Sequence, residues 1–186
     1  MVVIETRRMT LRQMGMPDVD HLLGIFADPE AMRYYPGTKD VSETRRWIQR
    51  NLDNYQQHGF GLWIASLKST NQFAGQCGLV VQEIEGRQEV EIGYLFLRSR
   101  WGRDLATEAA QACRDHGFMS LGFTRLISLI DPANVASRRV AEKVGMTPQK
   151  EITKWGKKVC LYAITQVMRQ SKFRRLVGEE EYIWSR

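Results

Sequence analysis

The sequence predicts an α/β domain built on a mixed, mostly antiparallel sheet flanked by helices, and three observations predict it. About seven segments carry the period-two or short all-apolar pattern of strands. Three of them, residues 59–68, 71–84 and 87–97, follow one another across short polar turns, which makes an antiparallel meander. The third is followed by a long helical pattern and another strand, the order of a parallel crossover.

Taken in order, residues 7–13, RRMTLRQ, alternate polar and apolar side chains and read as a strand. Pro17 and Asp18 open a helix with the apolar stripe Val19, Leu22, Leu23 and Phe26. ADPEAMRYYPGT, 27–38, ends that helix with a short helical turn carrying Tyr34 and Tyr35, then breaks at Pro36 and Gly37. Val41, Trp47, Ile48, Leu52 and Tyr55 keep helical spacing until Gly59 stops them, and Ser42 with Arg45 is no capping box. GFGLWIASLK and NQFAGQCGLVVQEI are strands joined through Ser69, Thr70 and Asn71, and RQEVEIGYLFL follows the Glu85–Gly86 turn. A helix over 102 to about 121 has the inner stripe Leu105, Ala109, Ala112 and His116. TRLISLI, 124–130, is the kind of strand buried on both faces. ANVASRRVAEKVG is a further helix capped by Gly145, and TPQKEIT and KKVCLYAIT form a hairpin around Trp155 and Gly156. The charge-dense residues 169–186 read as a C-terminal extension of the same domain, docked helix or loose tail.

At 186 residues the chain fits one domain with a real hydrophobic core. Its composition, 43% hydrophobic and 26% charged, is that of a soluble globular protein, and no apolar run approaches the ~20 residues of a membrane span. MVVIETRRMTLRQM lacks the apolar block of a secretory signal, so a cytoplasmic location is expected. Cys77, Cys113 and Cys160 are odd in number and far apart, which suits reduced thiols, and His21, His58 and His116 are equally scattered, so no metal site is legible. The net charge of +6 is spread along the chain; it suits a polyanionic cofactor, a nucleic acid or plain solubility alike.

Four stretches carry a family resemblance: RRMTLRQM with FADPEAMRYYPG, EIGYLFL, WGRDLATEAA and NVASRRVAEKVGM. In this order and spacing the chain resembles, from Ile4 to Thr165, the GNAT superfamily of acetyl-CoA-dependent N-acetyltransferases, and within it the RimJ/RimL-like ribosomal-protein acetyltransferases. The resemblance implies a GNAT fold, a sheet of about seven strands with helices on both faces, over residues 1–168.

The family's turn, Gln/Arg-x-x-Gly-x-Gly/Ala, holds the CoA pyrophosphate on backbone N–H groups at a helix N-terminus, and here Trp101, Gly102, Arg103, Asp104, Leu105 and Ala106 occupy it. Asp104 replaces the central glycine. Asp tolerates a left-handed backbone, so the turn keeps its shape if the side chain points away from the phosphates. The resemblance implies that Tyr94, Leu95, Phe96 and Leu97 pair with the pantetheine arm, with an N–H near Leu95 or Phe96 at the thioester oxygen, and that Asn134 holds the pantetheine amide. Asn134, Ser137 and Ala141 share one helical face. Many relatives place an acidic tyrosine at the position of Ala141. This chain cannot use it, and Ser137 one turn earlier matches the serine of the RimL-like branch; Tyr162 is a reserve acid.

Glu91 matches a general base of several relatives and Glu151 a carboxylate of the RimL-like branch. An acceptor amine, with a pKa of ~8 for an α-amine or ~10.4 for lysine, must lose a proton before it attacks. As plain structure, Glu91 is a strand carboxylate facing a cation such as Arg87, Ser137 a hydroxyl bonded back to its helix, and Glu151 a solvated strand residue. Tyr34, Tyr35, Trp47 and Trp155 fall where the family recognises its acceptor, and equally suit packing. Cys113 reads as core, with nothing near it to lower its pKa.

The expected activity is direct acetyl transfer from acetyl-CoA to a primary amine, on a protein N-terminus or a small molecule, in a ternary complex. The competing readings are a CoA-binding module without turnover and, on net charge alone, an RNA- or ribosome-binding protein. Neither a membrane nor a nucleic acid is expected as partner; a homodimer paired through the tail is open.

Overall fold

The computed structural model describes residues 2–166. The strands are β1 (Val2–Glu5), β2 (Met9–Gln13), β3 (Leu62–Leu67), β4 (Phe73–Ile84), β5 (Arg87–Phe96), β6 (Arg125–Ile130), β7 (Thr147–Lys154) and β8 (Lys157–Thr165). The helices are α1 (Val19–Phe26), α2 (Val41–His58), α3 (Leu105–Met119) and α4 (Val135–Val144). The strands form one eight-stranded sheet in the order β1-β2-β3-β4-β5-β6-β8-β7.

Alternation along the strands sends side chains into two layers. Trp63, Ala65, Cys77, Leu79 and Ile92 face α3 and α4, where Ala109, Ala110, Cys113, Ala141 and Val144 meet them. Leu62, Ile64 and Phe73 face the other way, onto Val19, Leu22, Ile25 and Phe26 of α1 and Ile48 of α2. Helices therefore cover both faces, as expected. A third cluster fills the α1–α2 side of the far half of the sheet, where Ile84 at the β4–β5 tip packs on Ile127, Ile152, Val159, Leu161 and Ala163.

Three local features differ from the sequence reading. Val2–Glu5 adds a strand, pairing with β2 through an irregularity between Val2 and Ile4, so the sheet has eight strands where about seven period-two segments were visible. The buried stripe of α3 is Leu105, Ala109, Ala110, Cys113 and Gly117, one position round from the expected face, with Ala112 and His116 only half-buried. Small residues decide this, because they let the helix sit close on the sheet: a Cβ on Gly117 would stand 3.1 Å from Leu126 Cδ1. The capping box of α2 lies two residues before Ser42, where Asp40 Oδ1 accepts the Glu43 N–H at 2.7 Å and Glu43 Oε2 accepts the Asp40 N–H at 3.0 Å. Gly59, at φ 79°, ends that helix as read.

In the core, the thiols of Cys77 on β4 and Cys113 on α3 approach to 3.5 Å; both are fully buried, and burial pushes the Cys113 thiol up. Among the described residues no helix is long and apolar enough to cross a membrane, and no three His, Cys, Asp or Glu side chains cluster as a metal site would need. The tail 169–186 lies outside the described residues.

Candidate active site

The sheet has one weak junction. β4 and β5 pair along ten positions, from Ile84↔Arg87 to Gly75↔Phe96, and β6 and β8 along six, but β5 and β6 share the single parallel pair Glu91↔Ile127. Beyond it the strands part. Leu97 N–H donates to Ala74 O at 3.0 Å, so the peptide groups of Leu97, Leu95 and Gly93 turn toward β4. Those of Ile92, Tyr94 and Phe96 turn toward the split. There Ser128 Oγ donates to Ile92 O at 2.8 Å and Trp101 Nε1 to Phe96 O at 2.9 Å, which leaves the Tyr94 peptide and the Phe96 N–H facing the opening. The backbone of Leu95 belongs to the β4 ladder opposite Gln76, so of the two donors named from sequence only Phe96 fits, and Tyr94 joins it.

The turn after β5 runs through a one-turn 3-10 helix, Arg98–Arg100, then Trp101 and Gly102 (φ 71°), Arg103 and Asp104, to α3. Asp104 is left-handed, at φ 56° and ψ 17°, and its carboxylate swings out to Lys143 Nζ on α4 at 2.6 Å. That ammonium holds the Asp104 carboxyl below the usual carboxylate range. No side chain caps α3 at its first turn, so the helix presents its N-terminal N–H groups, from Leu105 and Ala106 onward, without an internal carboxylate. The turn is pinned from behind: Arg8 Nη1 donates to Arg103 O at 2.9 Å, while Glu108 accepts from Thr6 Oγ1, Arg8 N and Arg8 Nε at 2.6–2.7 Å. A helix start with no capping side chain, with Asp104 turned to Lys143 and Glu108 held by Thr6 and Arg8, can accept an anion beside an open strand edge.

Glu91 lies on the lone β5–β6 bridge. Its neighbours Val90 and Ile92 pack on the α3–α4 side, so its carboxylate points to the α1–α2 side. Gln82 Nε2 donates to Oε2 at 2.7 Å and the Leu129 N–H to Oε1 at 3.1 Å. Burial outweighs these bonds and the nearby Lys154 ammonium, and pushes the carboxyl up to about 7. Tyr35 exposes 44% of its surface, while burial of its hydroxyl end, with the charge of Glu91, pushes that group up to about 12. The buried Tyr94 hydroxyl is raised further and donates to Ser137 O at 2.8 Å, which joins β5 to the first turn of α4. Asn134 caps that turn, its Oδ1 accepting the Ser137 N–H at 3.1 Å.

The structure thus joins Tyr94 to the Ser137 turn on the α3–α4 side, while the Glu91 carboxylate lies on the α1–α2 side of the same strand, held by Gln82 and Leu129. Glu151 is elsewhere: on the edge strand β7 it is exposed, pairs with Cys160, and points opposite to Ile152, whose cluster contains Glu91's partner Ile127. Tyr34 donates from its hydroxyl to Ala133 O at 3.1 Å. Trp47 is half-buried edge-on against Phe26, with Nε1 on Gln76 Oε1 at 3.1 Å, and Trp155 stands exposed at the β7–β8 turn beneath Lys154. Tyr162 is fully buried and receives Arg138 Nε at 3.0 Å. Sequence reasoning missed Gln82, Lys143 and Lys154, whose partners lie 9, 39 and 71 residues away, and no local pattern signals them.

Residues 8–147 match the acetyltransferase (GNAT) domain family. The chain is 48% identical over 158 residues to the uncharacterized protein YkkB of Bacillus subtilis (strain 168), covering 84% of this chain and 92% of that one. It is 34% identical over 154 residues to the uncharacterized N-acetyltransferase p20 of Bacillus licheniformis, covering 81% and 84%. Its fold is similar to that of RimL, a ribosomal L7/L12 alpha-N-protein acetyltransferase solved in complex with coenzyme A, with a TM-score of 0.71 and 20% identity over 89% of this chain and 98% of that one. The eight-stranded sheet split at β5 and β6 is a GNAT fold, and the chain belongs to the GNAT acetyltransferase family as one of its acyltransferases.

Proposed function

We propose that the protein transfers the acetyl group of acetyl-CoA directly to a primary amine, on a peptide N-terminus or a small molecule, with both substrates bound at once. The observation that carries this reading is Glu91, a carboxyl pushed up to about 7 at the single β5–β6 pair beyond which the strands part. A base titrating there is partly ionised at neutral pH and basic enough to take a proton from an ammonium. RimL, of the same fold, was solved with coenzyme A, which supports the choice of donor. Acetyl-CoA supplies an activated acyl group on a thiol leaving group.

The chain's residues divide the work. Tyr94 to Leu97 and the turn Trp101 to Ala106 hold the donor, the strand edge meeting its amide-bearing arm and the start of α3 its diphosphate, with Asn134 Nδ2 as a further donor across the split. The N–H of Tyr94 or Phe96 polarises the carbonyl oxygen. Glu91 takes the proton from the amine as its nitrogen bonds to the carbonyl carbon. The carbon–sulfur bond breaks, and the Ser137 hydroxyl, replenished from solvent, gives the leaving sulfur its proton. Tyr34, Tyr35 and Trp155 form the acceptor side.

Titration of the full chain with acetyl-CoA by calorimetry, followed by thiol release across peptides and small amines, tests the reading. Binding with amine-dependent thiol release supports it. Glu91→Gln should lose about 10²-fold or more in kcat/KM while still binding acetyl-CoA. A loss below about tenfold in that variant removes Glu91 as the base.

A further inference from the structure

Three segments far apart in sequence meet at the turn after β6, and one lysine joins them. Lys157, at the start of β8, forms an ion pair with Asp131 Oδ2 at 2.9 Å and also donates to the backbone carbonyl of Tyr34. Asp131, just after β6, uses its other carboxylate oxygen to accept the Ala133 N–H at 3.0 Å, and its backbone oxygen accepts the Asn134 N–H at 2.8 Å. It thereby shapes the turn that starts α4. Tyr34 returns the contact through its hydroxyl on Ala133 O. Lys157 also draws the Asp131 carboxyl below its usual range.

The segment that needs this support is the one between α1 and α2. Its two ends are closed by the Lys39 N–H on Phe26 O at 2.9 Å and Ala31 and Met32 anchor it in the α1–α2 core, while at Tyr34 it is held to β8 and to the turn before α4. The neighbouring Tyr35 feels the charge of Glu91, which with burial of its hydroxyl raises that group. On the other side of the clasp, Asn134 and Ser137 open α4, and Tyr94 holds the same turn to β5.

We propose that Lys157 is a positioning residue: by clasping Asp131 and the Tyr34 carbonyl it fixes the acceptor wall, Tyr34–Tyr35, against the turn that opens α4. This rests on the amine-acetylation reading above. Residues 95–106 make no bond to Lys157 or Asp131, and Asn134 and the Ser137 turn keep their own bonds to each other and to Tyr94 when the lysine is removed, so its loss should act on the acceptor more than on the donor. Nor should it unfold the protein: the Lys157 and Asp131 side chains are 32% and 21% exposed, and a partly solvated ion pair contributes little to stability. Misplaced reacting groups, by contrast, cost much in rate.

The full chain, Lys157→Met and Lys157→Arg are compared. The acceptor is whichever amine releases most thiol from acetyl-CoA in a screen of N-terminal peptides, polyamines and aminoglycosides. In Lys157→Met the acceptor KM should rise about tenfold with a smaller fall in kcat, while the Kd for acetyl-CoA from calorimetry stays within about twofold. Amide hydrogen exchange over residues 30–36 should speed up, and Lys157→Arg should recover KM to within about threefold of the parent. An unchanged acceptor KM with unchanged exchange at 30–36 overturns the proposal, and so does a parallel loss of acetyl-CoA binding. Should the parent release no thiol with any amine, the acetylation reading fails, and the exchange comparison still decides the clasp.

Discussion

Glu91 receives one hydrogen bond on each carboxylate oxygen and remains half-buried, so its proton affinity is set by what surrounds it. Its activity should rise with pH: below about 7 the carboxyl is protonated and cannot accept the amine's proton, above it the base is ready. A kcat/KM profile of the parent should therefore show an acid limb near pH 7 that is absent from the residual activity of Glu91→Gln. Asp104 makes a second residue-scale prediction. Asp104→Gly keeps the left-handed turn, removes a negative charge beside the start of α3 and frees Lys143, so acetyl-CoA should bind about two- to five-fold more tightly at low salt, the gain shrinking as salt is added. Calorimetry at two ionic strengths reads both. The backbone of Asp104 was legible, because few residues other than glycine accept that conformation. Its bond to Lys143 and the surroundings of Glu91 were not, because Lys143 and Leu129 arrive through the tertiary fold.

Elements were legible where their punctuation is local. Gly59, Gly145 and the turns at Glu85–Gly86 and Trp155–Gly156, each with two positive φ values, mark the ends that the sequence reading assigned. The start of α2 was not read, because the acid that caps it precedes the apolar pattern and sits beside a competing serine. Asp40→Ala removes the acceptor for the Glu43 N–H and should cost about 1 kcal/mol in denaturant unfolding, with little effect on acetyl-CoA affinity. The first strand escaped because four residues carry too short a pattern to show a period. The register of α3 escaped because alanines on two sides of a helix look alike until the sheet chooses one.

For the whole molecule, the raised carboxyl of Glu91 has a linked effect on folding. Its folded pKa, about 7, lies above the ordinary 4.5, so between those values the native state binds more protons than the unfolded chain. Its contribution to stability is therefore greatest below pH 4.5 and is lost as pH rises to about 7. Glu91→Gln, with nothing to ionise, should gain stability relative to the parent across that window, seen as a melting difference that grows from pH 5 to pH 7.5. The single rung between β5 and β6 matters at this scale too. Strands zipped along many rungs resist being sheared, whereas two leaves bound at one stitch part at the stitch. A tether pulling the ends of the meander and of the final hairpin apart should part the sheet first along the seam between β5 and β6.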